Sequence, residues 1–90
     1  MNTLLVGYDL RQPTPEYGPL IEALQAQGGW WHHLDSTWLV RTPRSAKELR
    51  DALLPFIKDT DEILVIDVTG RPAAWTGFQE RAATWIKQNL

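Results

Sequence analysis

The sequence predicts an α+β domain of the ferredoxin-like kind, a βαββαβ sandwich with an additional C-terminal helix. Two apolar runs, Thr3–Leu10 and Ile63–Val68, have the composition of buried strands. Between them lie two segments with helical spacing of apolar residues, and between those a short aromatic-rich hairpin. The resulting order, strand, helix, two strands, helix, strand, is the split βαβ arrangement. Right-handed crossovers then place the first and third strands in the middle of the sheet and the second and fourth at its edges. Ninety residues fit one domain, 1–90, with a core over about 1–70 and a helical extension over about 71–90.

Each element has its own local cause. Pro13 and Pro15 end the first strand, because proline lacks the backbone donor and restricts the residue before it. Tyr17, Leu20, Ile21 and Leu24 keep one apolar face of the first helix, with Pro19 tolerated in its first turn. Gly28-Gly29 supplies the stop. Trp30–His33 and Thr37–Arg41 form the hairpin around Leu34-Asp35-Ser36, whose polar side chains bond local backbone in turns. Ser45 and Glu48 have capping-box spacing for the second helix, and Leu49, Ala52, Leu53 and Phe56 give its packing face. Pro55 shortens its last turn. After Gly70-Arg71-Pro72, Thr76 and Gln79 offer another capping box, and Ala82, Trp85 and Ile86 form the stripe of a terminal helix.

Composition bounds the chemistry. The absence of cysteine removes disulfides, thiolate catalysis and cysteine-ligated metals, and it fits a reducing cytoplasm. The N-terminal residues resemble neither a signal peptide nor a membrane span. A net charge of −2 weighs against a general electrostatic grip on nucleic acid. Arg41, Arg44, Lys47 and Arg50 are nevertheless close enough in sequence to form a local basic patch for DNA, or else to solvate a helix. Five tryptophans are many for a chain of this length. They either complete the core beneath the extra helix or, as with Trp31, Trp38 and Trp75, provide an interface.

Alternation selects the candidate site. Leu4, Val6, Tyr8 and Leu10 share one face of the first strand, which belongs under the helices, while Leu5, Gly7 and Asp9 face away. The hairpin closes at the same end of the sheet, bringing His33, Asp35, Ser36 and Thr37 near Asp9. Asp9 fits three roles: a ligand for Mg2+ or Mn2+, an orienting partner for a histidine such as His33, or an acceptor of local hydrogen bonds. One carboxylate makes a poor magnesium site; two copies of Asp9 meeting across a symmetric dimer make a better one. Asp67 should lie roughly 15–20 Å from Asp9, at about 3.3 Å per residue along an antiparallel strand. Asp59, Asp61 and Glu62 are nearer, as helpers or as a solvated turn.

Leu5-Val6-Gly7-Tyr8-Asp9-Leu10 resembles the first strand of the CRISPR-associated Cas2 family, which typically ends in a tyrosine–aspartate pair. Ser36-Thr37-Trp38-Leu39-Val40 is similar to the serine-led strand of that family, and the likeness in element order covers about residues 1–70. The chain also resembles a group of uncharacterised Cas2-like small bacterial proteins. The resemblance implies a ferredoxin-like homodimer with Asp9 associated with divalent metal, Ser36 as a second motif member, and phosphodiester hydrolysis or DNA clamping as the activity. The first helix departs from the family in carrying no lysine or arginine over Tyr17–Glu22, and Trp38 replaces or displaces the family's phenylalanine. The reading that follows is a non-catalytic homodimeric binding module for protein or nucleic acid, with a metal-dependent endonuclease as the alternative. No membrane partner is expected.

Overall fold

The computed structural model describes residues 1–12 and 14–90. The expectation placed on Pro13 therefore lies outside the described residues. Strands β1 (Asn2–Asp9), β2 (Gly29–Leu34), β3 (Thr37–Thr42) and β4 (Glu62–Asp67) form one antiparallel sheet in the order β2-β3-β1-β4. Helices α1 (Gly18–Gln25) and α2 (Ala46–Leu53) cover one face. A third helix, α3 (Glu80–Asn89), packs on the other. The fold is thus the ferredoxin-like sandwich with a C-terminal helix, with β1 and β3 central.

Register sets which side chains meet. Leu4 pairs with Val40 and Asp67, Val6 with Trp38 and Val65, and Tyr8 with Ile63, all on the face under α1 and α2. Leu4, Val6, Trp38 and Val40 pack there with Leu20, Leu24, Leu49 and Leu53 in the main core. The outer face carries Leu5 between Leu39 and Ile66, Gly7 between Thr37 and Leu64, and Asp9 beside Glu62. Trp31, Leu39, Ala82 and Ile86 make a second, smaller core between this face and α3. Burial on both faces explains why β1 and β3 read as nearly continuous apolar runs.

Local chemistry accounts for the ends of the elements. A short 3-10 turn over Thr14–Tyr17 leads into α1, and Pro19 occupies its first turn. Gly28 has φ of +137°, and a Cβ there would lie 2.5 Å from the Arg41 carbonyl oxygen. Both conformation and close approach therefore demand glycine. The Ser45–Glu48 capping box is complete, with Glu48 N–H donating to Ser45 Oγ at 3.1 Å and Ser45 N–H to Glu48 Oε1 at 2.9 Å. At Pro55 the helical chain tightens into a 3-10 turn, Leu54–Phe56. The expected capping box at Thr76 and Gln79 does not form. Gln79 itself is the N-cap of α3 and makes no side-chain capping bond.

Arg41 fastens α3 to the sheet. Its guanidinium donates to Thr3 Oγ1 at 2.8 Å and to the Asn89 carbonyl at 3.0 Å. The Thr3 hydroxyl donates to the same carbonyl. A cation at the last carbonyl of a helix also meets the negative end of its dipole. Trp31 adds a buried bond from Nε1 to the Ala82 carbonyl, 3.1 Å long.

Candidate functional site

Asp9 leaves the end of β1 on the outer face, as alternation requires, and its side chain is 61 % exposed. Directly across the strand pair stands Glu62. Two carboxylates side by side repel, and Arg11 relieves this: its Nη2 lies 3.2 Å from Asp9 Oδ2 and 3.3 Å from Glu62 Oε1. The arrangement is an exposed acid–arginine–acid bridge. Exposed pairs of this kind contribute at most about 1 kcal/mol. Among the described residues, no group of three or more histidine, aspartate or glutamate side chains is placed to hold a metal ion.

The acid enclosed by its own chain is Asp61. Oδ1 accepts from Arg11 N–H at 2.9 Å and from the Tyr17 hydroxyl at 2.6 Å, and Oδ2 accepts from Lys58 N–H at 2.7 Å. Desolvation pushes the Asp61 carboxyl upward, but the bonds from Tyr17, Arg11 and Lys58 outweigh it and hold the acid below its ordinary value. Burial, reinforced by Asp61, pushes the Tyr17 phenol upward. Asp61 thus clamps the segment after β1 to the turn before β4. Its role is architectural.

A cleft of about 470 Å³ opens beside Asp9, lined by Tyr8, Tyr17, His32, Asp35 and Ser36 among others. Of the expected catalytic residues, Asp9 and Ser36 share this cleft. The Ser36 carbonyl accepts from Tyr8 N–H at 3.1 Å. His33 is elsewhere, against Trp31 on the outer face with ring centroids 5.0 Å apart. The histidine in the cleft is His32, stacked 4.0 Å from Trp38 and within 3.1 Å of the Asp35 carbonyl oxygen. An irregularity in the β2–β3 ladder lies between Trp31 and Leu34, the stretch that holds both histidines. Simple alternation had no means of locating it.

The four basic candidates do not form one surface. Arg41 turns inward to the end of α3. Lys47 and Arg50 both reach Asp51, at 2.8 and 2.7 Å, and Arg44 is exposed just before α2. Trp38 and Trp31 are buried, one in each core, while Trp75 remains 36 % exposed. Trp75 flanks an apolar groove of about 390 Å³ between the 71–78 segment and the sheet, floored by Leu5, Trp31 and Leu39. Beyond the groove, the open edge strand β4 exposes Leu64 at 58 % and Ile66 at 44 %.

Comparison with protein-family models, curated proteins and solved structures finds no match to this chain.

Proposed function

We propose that the chain is a non-catalytic binding module that works as a homodimer and engages a protein partner through the outer face of its sheet. The observation that carries this reading is the apolar stretch Leu64 and Ile66 on an unpaired edge strand, continuing from the groove beside Trp75. Exposed apolar surface on a bare strand edge is a template for association. The groove offers large apolar side chains a place to bury, whereas phosphates would meet Asp9 and Glu62 on this face. Arg41, committed to α3, is withdrawn from any basic patch. A protein partner therefore fits this surface better than DNA.

Sedimentation equilibrium tests the assembly. The parent chain is expected to show a monomer–dimer equilibrium, and the double substitution Leu64→Lys, Ile66→Lys to remain monomeric with unchanged circular dichroism. A parent that stays monomeric to millimolar concentration would sink the reading.

A further inference from the structure

We infer that two copies join edge to edge through β4, in the register that sets Val65 against Val65 of the second copy and Leu64 against its Ile66. The inference rests on the homodimer reading above and specifies its geometry.

The hydrogen-bonding direction along β4 leads to this register. Val68 N–H donates inward to the Thr3 carbonyl, at 2.9 Å, whereas Tyr8 N–H points the other way, to Ser36. Backbone groups alternate in direction along a strand. Residues 64, 66 and 68 therefore spend theirs on β1, and Ile63, Val65 and Asp67 direct theirs to the open edge. A two-fold axis perpendicular to the sheet keeps each face on its own side, so only residues of the same face can stand opposite one another. Centring the axis on Val65 pairs all three outward residues: Val65 with Val65, Ile63 with Asp67, and Asp67 with Ile63. Centring it on Leu64 leaves Asp67 without a partner.

Side chains favour the same choice. On the outer face Leu64 meets Ile66 of the second copy twice, covering the most exposed apolar side chains of the edge. On the helical face the charges complement. Lys47 and Arg50 line a recess at the β4 edge with Ile63 and Val65. Two cations there share the single carboxylate Asp51, leaving the recess with net positive charge. The register brings Asp67, which lies on the helical face, opposite Ile63 and so beside this recess, once in each direction. The product is a continuous eight-stranded sheet with both α3 helices on one side. An acidic peptide from another protein would satisfy one such edge but gains nothing from the reciprocity.

The natural absence of cysteine makes the test direct. Leu64→Cys and Ile66→Cys are prepared separately and oxidised alone and as a mixture. Paired Cα atoms in such ladders lie about 4.5–5.5 Å apart, within the range a disulfide spans. The mixture is expected to give the mixed disulfide in large excess over either self-linked product. In a second measurement, Asp67→Lys should weaken self-association about tenfold, roughly 1.4 kcal/mol, and mixing it with Lys47→Glu, Arg50→Glu should recover association. Self-linking of Leu64→Cys without excess mixed product would overturn the register. A dimer by mass that forms none of these disulfides would place the interface elsewhere and leave the homodimer reading standing. A monomer throughout would remove both.

Discussion

Asp61 illustrates how much one side chain fixes. Its carboxylate gathers the Tyr17 hydroxyl, the Arg11 amide and the Lys58 amide into one node. Because its folded pKa lies below the unfolded value of about 3.9, its contribution to stability is present above that value. It is lost as the pH falls through the folded value. Asp61→Asn presents an amide donor where an acceptor is required, so urea unfolding at neutral pH should show a lower midpoint than the parent. The gap should close in acid, below about pH 4. A gap that stays constant with pH would mean that the charge is not what matters. Asp9, by contrast, is largely exposed and pairs with Arg11 beside Glu62. The order of these roles was not readable beforehand. Asp61 stands in a polar run, Lys58–Glu62, that looks like any solvated turn. Only the tertiary approach of Tyr17, far away in sequence, reveals its task.

At the scale of elements, α3 is the part that departs from a plain βαββαβ sandwich. Its hold on the sheet depends on Ala82 and Ile86, both buried against Trp31 and Leu39. Ile86→Ala should cost about 2–5 kcal/mol, read as a lower chemical-denaturation midpoint. Amide exchange should accelerate in α3 before it does in β1 and β3. The strands and the first two helices were legible from period, capping and glycine signals, because those signals act between near neighbours. Ser45 and Glu48 are three apart and bond as their spacing requires. Thr76 and Gln79 have the same spacing and do not, since the chain enters α3 at Gln79 and leaves Thr76 in the extended stretch along the groove. His33 shares the outer face with Trp31, as alternation along β2 requires, and it is His32, on the opposite face against Trp38, that lines the cleft beside Asp9.

For the molecule as a whole, the two faces of the sheet divide the work. One is sealed by α1 and α2, and the other is half covered by α3 and half open along β1 and β4. The sequence announced this asymmetry only faintly, because Leu64 and Ile66 look like core residues in a strand buried on both sides. Their exposure follows from strand order and from the reach of a helix ten residues long. No helix among the described residues is long and apolar enough to cross a membrane. With a net charge of −2 and Asp9 beside Glu62 on the open face, short duplex DNA should show no retention at low salt. Incubation with Mg2+ or Mn2+ should leave DNA intact for the parent and Asp9→Asn alike. Metal-dependent cleavage that disappears in Asp9→Asn would reverse the functional conclusion in favour of hydrolysis.

The guanidinium of Arg41 joins the beginning of β1, the middle layer and the end of α3 at one point. Peeling that helix away would leave the cation with Thr3 but without the Asn89 carbonyl that accepts from it. Gradual fraying from the C-terminal turn is therefore disfavoured, and the outer layer should come off as a block. Limited digestion would then yield either the intact chain or one lacking the whole segment, without a ladder of trimmed intermediates.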